Sequence, residues 1–416
     1  MAQLSASALD PKPTLNVAVI GAGIAGLSAA VALRRSGHNV KIFEQSDFQN
    51  EIGAAIHVTP NATRVLEWLQ YDPERMKAVS CYSLALHNGT TGETISKVFH
   101  DMRALYGAEW YLTHRVDLHN ELKHLAFNPT TSQDPVPELH LRSKVVSIDP
   151  DHGKLTLVNG EEYQADMVIA ADGVHSRTRD LVFGGSKPYH IGEACYRFII
   201  EAKEIGDDID CDAVFIDGGN HIFATPTKRV VAYPCRNNEL INFVCIHPEP
   251  ASKTADGKPS SSPESWYSVS STDALLSEFS EFPPGILACL RKAHNIRHFP
   301  FLQREPIPSW IRGRVCLIGD AAHPTLPHRA QGGSQAIEDA GALGPLFRRG
   351  TAADQVPALL KLWHQVRYGR ASVVEELSRT QLIGKTTLDA KLLQDYLYAH
   401  DVVEYARHTR EAELIL

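Results

Sequence analysis

The sequence predicts an α/β fold that is interrupted by a β-rich insertion and closed by C-terminal helices. Three observations carry that expectation. A glycine-punctuated strand–turn–helix opens the chain at residues 15–37, and two later apolar strands end in Asp172-Gly173 and Gly319-Asp320. Between those two strands the apolar residues alternate as in short β-strands rather than recurring with a helical period. The chain has 416 residues, 43% of them hydrophobic and 22% charged, which suits a globular protein of two or three domains.

Taken in order, residues 1–14 are polar, contain Pro11 and Pro13, and read as a loose tail. Residues 15–20 form the first strand. A glycine turn follows, then a helix whose Ala/Leu/Val stripe stops at Gly37, the residue type that closes a helix in a left-handed conformation. A second strand at 40–44 completes a βαβ opening. Residues 82–99 read as a hairpin around a Gly-rich turn, and 115–126 as a helix. Residues 138–171 give three short strands, the last being the apolar 167–171. Further strands are expected near 195–202, 213–216, 222–225, 229–233 and 241–246. The Pro/Ser/Lys/Gly stretch between Pro248 and Pro263 reads as an exposed loop. Residues 315–318 return to α/β character, and the chain after Gln335 is mainly helical. The expected division is a discontinuous nucleotide-binding domain from 15–80, 105–185 and 296–345. A substrate domain takes 81–104 and 186–295, and C-terminal helices fill 346–416.

Charge and cysteine usage narrow the function classes. Asp and Glu exceed Lys and Arg by 49 to 41, and the basic residues are scattered, so neither nucleic acid nor an anionic membrane finds a basic footprint. The seven cysteines include no CxxC pair, which reads as reduced thiols in a cytoplasmic protein. The 20 histidines include no HExxH, so no metal is expected. The apolar run 17–33 carries glycines at fixed offsets and no basic leader before it, which argues against a signal peptide.

Gly21-Ala-Gly23-Ile-Ala-Gly26 sits between the first strand and its helix. Gly21 permits the tight turn, Gly23 lets backbone approach a pyrophosphate, and Gly26 lets the helix pack closely on the strand. The helix N-terminus offers free N–H groups and partial positive charge to phosphates. Glu44, closing the second strand, is placed to accept from ribose hydroxyls. The motif alone does not separate FAD from NAD.

Ala170-Ala-Asp172-Gly173-Val-His-Ser176 and Val315-Cys-Leu-Ile-Gly319-Asp320-Ala-Ala-His323-Pro324 each follow an apolar strand. With GxGxxG first, and the run from Pro327 to Asp339 (PHRAQGGSQAIED) last, the order and separations resemble the group A flavoprotein monooxygenases. That is the para-hydroxybenzoate and salicylate hydroxylase-like family, and the resemblance covers about residues 15–380. It implies a Rossmann-like FAD-binding domain, non-covalent FAD, and NAD(P)H and O2 as co-substrates, with no separate NAD(P)H domain. Asp320 then hydrogen-bonds the ribityl hydroxyls, Arg115 lies along the pyrophosphate, and Asp172-Gly173 serves the pyrophosphate region and NAD(P)H. Gly53-Ala-Ala55-Ile56 passes the isoalloxazine, and Gly333 lies at a helix N-terminus facing the pyrimidine edge. Read singly, Asp320 and Asp339 would be helix caps, and Arg115 a surface cation paired with Asp117 or Glu121.

The chemistry that the resemblance implies is hydroxylation of a phenolic or aromatic-acid small molecule through a flavin C4a-hydroperoxide, the chemistry of aromatic hydroxylases in secondary metabolism. An apolar cavity with few polar groups suffices for it. Arg197 is the candidate that binds a carboxylate or phenolate, because a guanidinium lowers a phenol's pKa. Tyr233 resembles a strand tyrosine that relatives direct toward substrate. Arg229 stands where salicylate-type relatives often carry a histidine, and a permanently charged arginine cannot be a neutral base. Electrostatic stabilisation by Arg197 or Arg229 is the expectation in its place. The plainer alternatives are an edge-strand cation for Arg197 and core packing for Tyr233. Two other functions share these motifs: an epoxidase or oxidase of an alkene or indole, and a flavin redox sensor without turnover. The helical 355–379 could cap the flavin domain or form a homodimer face.

Overall fold

β1 (Asn16–Ile20), α1 (Ile24–Arg35) and β2 (Asn39–Phe43) form the βαβ opening, with β1 and β2 parallel. In this computed structural model the described residues are 12–48, 54–129, 134–185, 187–211, 218–249, 268–379 and 390–413. β3 (Ala55–Val58) pairs antiparallel with β4 (Tyr111–His114), from which α2 (Arg115–Phe127) starts directly. β5 (Met167–Ala170) lies parallel to β1, and every one of its residues is buried. A strand covered on both faces reads as a continuous apolar run, which is why this one is plain in the sequence.

The chain then builds β6 (Tyr189–Glu201), β7 (Arg229–Cys235), β8 (Leu240–Pro248) and β9 (Arg297–Gln303), which are antiparallel neighbours in one sheet. It returns through β10 (Val315–Leu317), parallel to β5, to α3 (Gly332–Leu346) and α4 (Val356–Arg379). The nucleotide-side sheet has six strands, ordered Ile311–Arg312, β10, β5, β1, β2 and Glu138–His140. α1 packs on α2 and α3 at one face of it.

The second sheet has eight strands, ordered Ser268–Val269, β9, β6, β8, β7, Asn220–Ala224, Ser83–Asn88 and Thr94–Phe99. The last two are the expected hairpin, with Ser83 opposite Phe99. β9 falls within the 296–345 span expected for the nucleotide-binding domain, yet it pairs with β6 in this sheet. Between 138 and 171 there are five strands rather than three. Val145–Asp149, Lys154–Leu157 and Glu162–Gln164 form an antiparallel meander of their own. Its tight turns use Gly153 and Gly160 at φ +71° and +88°. The expected strand at 213–216, most of the 248–263 loop and Gly53 lie outside the described residues.

All seven cysteines are buried, and none is in a disulfide. Among the described residues no helix is long and apolar enough to cross a membrane, and no group of three or more His, Cys, Asp or Glu is arranged to hold a metal.

Candidate active site

The three glycines of the first turn have three different surroundings. Gly21 is at φ +96°, and a Cβ there would lie 2.5 Å from the Ala171 carbonyl oxygen. At Gly26 a Cβ would lie 2.0 Å from the Gly21 carbonyl oxygen, so helix and turn touch backbone to backbone. Around Gly23 a Cβ would meet nothing within 4 Å. This is the cradle that a pyrophosphate needs: two glycines required by the protein's own packing and one facing open space. α1 has no side-chain cap and no acidic residue in its first turn, so its N–H groups stay available to an anion. Glu44 holds the turn from behind. Its carboxylate accepts from the N–H of Ala22 and of Ser46, each at 2.8 Å, and its remaining lone pairs can accept ribose hydroxyls. These residues fit the adenosine end of FAD.

Asp172, expected to serve the pyrophosphate region and NAD(P)H, has its carboxylate engaged by its own loop. One oxygen accepts from the Ser176 hydroxyl at 2.6 Å, and the other from the Thr178 N–H and hydroxyl at 3.0 and 3.1 Å. Its carboxylate thus shapes residues 172–178, while Gly173, at φ +76°, has open space where a side chain would stand. The fully buried Arg304 supports the same loop by donating to the Val174 and Ser176 carbonyls.

Asp320 follows β10 at the wall of a cavity of about 310 Å³. Its carboxylate is open to the cavity but surrounded by protein. Burial raises its pKa, while His323 and Arg115 act in the opposite direction. Arg115 is exposed at the start of α2, where its N–H donates to Ala54 at 2.8 Å. The α3 N-terminus opens on the same cavity through Gly332 and Gly333, with no side-chain cap. A Cβ on Gly333 would lie 2.7 Å from Cδ1 of Ile56, so β3 and α3 meet closely here and the tip of that side chain would have to move.

Behind that wall lies a buried charge network that the sequence did not reveal. Asp339 accepts from the Gly319 N–H at 2.8 Å, from His323 Nε2 at 2.7 Å and from Arg367 Nε at 2.8 Å. His323 therefore serves Asp339, not Asp320, and Asp339 pins the Gly-Asp turn rather than capping a helix. Glu338 pairs with Arg367 and Arg370 at 2.5 and 2.7 Å and accepts from Asn61 at 2.6 Å. Burial would raise both carboxylates, but Arg370 and Arg367 outweigh it at Glu338, and His323 and Arg367 at Asp339, so both pKa values fall. The signal available was two adjacent acids in an otherwise apolar helix, followed one helix later by Arg367 and Arg370.

The cavity floor is the face of the eight-stranded sheet, and its roof is residues 324–327 and 330–333. Pairing sets the floor in rows: Cys195, Ile246 and Arg229 are aligned, then Arg197, Val244 and Val231, then Ile199, Asn242 and Tyr233. Arg197 lines the cavity, stacks over Phe299 at 5.7 Å, and has no carboxylate partner among the described residues; its Nε is buried without an acceptor. Tyr233 lines it too, and its hydroxyl donates to the Ala55 carbonyl at 3.1 Å. Asn242 accepts from the Ala55 N–H at 3.0 Å, so β3 is stapled to the sheet from both sides of one residue. Burial raises the Tyr233 pKa, and Arg197 only partly offsets this.

Arg229 is not among the lining groups. It shares a row with Cys195 and Ile246, but its guanidinium is held by Glu193 at 3.6 Å and His328 at 3.3 Å. A salt-bridged arginine in that position is a structural tie between sheet and roof, and this corrects its expected catalytic placement. The cavity therefore gathers Ala55, Arg197, Tyr233, Asp320 and Gly333. Sequence reasoning overlooked His57 and Thr325, which also line it.

Residues 15–216 match the family described as pyridine nucleotide-disulphide oxidoreductase, and residues 288–378 match the FAD binding domain family. The FAD-dependent monooxygenase cfoG of Aspergillus candidus is 36% identical over 412 residues, covering 96% of this chain and 92% of that protein. Hispidin-3-hydroxylase of Neonothopanus nambi is 32% identical over 410 residues, covering 94% of each. The crystal structure of CtdE in complex with FAD and substrate matches with a TM-score of 0.79 at 23% identity, covering 97% of this chain and all of that one; this likeness speaks to the fold. Because the sequence similarity runs through both the glycine cradle and the inserted sheet, the chain belongs to the group A FAD-dependent monooxygenases, the salicylate and para-hydroxybenzoate hydroxylase-like family.

Proposed function

We propose that the chain hydroxylates a phenolic or aromatic-acid small molecule, using NAD(P)H and O2. The observation that carries this reading is Arg197. A guanidinium with no counter-charge among the described residues, set in a cavity whose walls are chiefly apolar, is stabilised by an anionic oxygen brought in by the substrate. Binding the phenolate lowers the phenol's pKa and enriches the ring in electrons. An alkene or an indole would leave Arg197 unpaired.

The chain's own residues hold, orient and exclude water. Gly21, Gly23 and the α1 N-terminus would hold the FAD pyrophosphate, Glu44 the ribose and Asp320 the ribityl hydroxyls, with Arg115 alongside. The uncapped α3 N-terminus would favour negative charge at the pyrimidine edge. FAD, when bound, would supply the redox chemistry of hydride acceptance and oxygen activation. Phe299, Val231, Val244 and Ile246 keep water from the reacting centre. Hispidin-3-hydroxylase is a hydroxylase by name, which agrees with this reading.

The test is NAD(P)H oxidation by the FAD-loaded protein against a panel of phenols, aromatic acids and indoles, with catalase present and product masses read. Stimulation by a phenol with gain of one oxygen atom is the expected result. Stimulation by indoles alone, or by nothing in the panel, would overturn the phenolic reading.

A further inference from the structure

The cavity contains a second side-chain donor, of a different kind from Arg197. His57, on β3, lines the cavity next to the Tyr233 ring, with ring centres 4.3 Å apart in an edge-on arrangement. Its Nδ1 receives the Trp110 indole N–H at 3.1 Å. An indole nitrogen can only donate, so Nδ1 is the acceptor and the ring proton sits on Nε2. Trp110 is itself fixed, 6% exposed and packed against His100 and Tyr398 at 5.7 and 5.4 Å. Burial pushes the His57 pKa down to about 3, so the ring stays neutral at neutral pH. No hydrogen bond from Nε2 to another described residue is present. Tyr233 cannot play the same part, because its proton is committed to Ala55.

We propose that His57 presents a fixed Nε2–H donor to the substrate and thereby selects phenols that carry a second, uncharged acceptor such as a carbonyl oxygen. The inference rests on the phenolic reading above and adds a specificity-determining residue to it. Arg197 takes the ionised oxygen, which any phenol offers. His57 discriminates among phenols, because a desolvated donor left unpaired penalises an analogue that lacks the acceptor. Trp110 is a positioning residue. It acts only by holding the tautomer.

The experiment measures calorimetric binding to FAD-loaded protein of the three hydroxybenzaldehyde isomers, each against the methylphenol of the same pattern. For at least one isomer, His57→Leu is expected to cut the aldehyde-to-methyl affinity ratio about tenfold, and His57→Gln, which keeps an N–H donor, to restore part of it. Arg197→Met should weaken both members of a pair alike and leave the ratio in place. A ratio unchanged by His57→Leu for every isomer overturns the proposal while leaving the phenolic reading intact. Failure of every phenol to bind the wild-type protein would sink that reading, and this inference with it. A second arm needs no ligand. In protein labelled with nitrogen-15 histidine, the signal lost in His57→Gln should report a neutral ring protonated at Nε2 at pH 7, and Trp110→Phe should disturb it. An Nδ1–H tautomer or an imidazolium at that pH would also overturn the proposal.

Discussion

At the scale of single residues, buried and half-buried charges divide into those with an ionic partner and those without one. Arg197 has no carboxylate partner among the described residues, and its Nε is buried without an acceptor, so it is assigned to substrate in the proposed function. Arg197→Met should leave FAD content unchanged and lower kcat/KM by about a hundredfold, the loss expected for a charge-assisted hydrogen bond made to the substrate. Equal kcat/KM in the variant would remove it from the site. Arg367 is the opposite case, fully buried between Glu338 and Asp339. Arg367→Met should cost about 3 kcal/mol at neutral pH, since it strips a partner from buried carboxylates. Both carboxylates have folded pKa values below their unfolded ones, so their stabilisation is present above about pH 4 and lost as pH falls through the folded values. The gap between wild type and Arg367→Met, read from urea midpoints, should therefore narrow in acid; a constant gap would contradict the assignment. The contrast with Arg229 shows where the sequence stops. Its strand and face were legible, but Glu193 and His328 come from distant segments, and nothing local to Arg229 announces them.

At the scale of elements, the glycine turn is where sequence and structure agree most closely, because its constraints are local: one residue needs a positive φ, one needs room for a ligand, and one needs no side chain at all. That yields a paired prediction. Gly26→Ala drives a Cβ against the Gly21 carbonyl and should destabilise the protein by about 3 kcal/mol, with or without FAD. Gly23→Ala meets open space at φ −75° and should leave the stability of the FAD-free protein unchanged while weakening FAD binding. Equal loss of stability in both would mean that Gly23 serves packing, not ligand. Asp172 marks the limit of motif reading at this scale. Its position after an apolar strand was plain, but its carboxylate closes its own loop, a fact set by Ser176 and Thr178. β9 was misassigned for a related reason: its partner β6 lies about a hundred residues earlier, and pairing across such a distance leaves no local trace.

At the scale of the whole molecule, the cavity exists because two sheets and a helix terminus meet. β3 is stapled to the inserted sheet through Ala55, and the roof is held by the Asp339–Arg367 network beneath the Gly-Asp turn. The residues proposed to hold FAD lie as far apart in the chain as Gly21, Arg115, Asp320 and Gly333, so the cofactor should tie the chain together. FAD at a hundred times its Kd should add about 2.7 kcal/mol of stability and raise Tm by several degrees. Wild type should show that shift and Gly23→Ala should not; no shift in wild type would mean that the assigned residues do not form one site. Oxygen transfer to a phenolic ring can be followed with isotopically heavy O2. With FAD-loaded protein, NAD(P)H and a phenol that stimulates its oxidation, the product should carry one heavy oxygen atom from O2. Product oxygen derived from water, or NAD(P)H consumption that yields peroxide alone, would mean that the protein does not hydroxylate a phenol with O2.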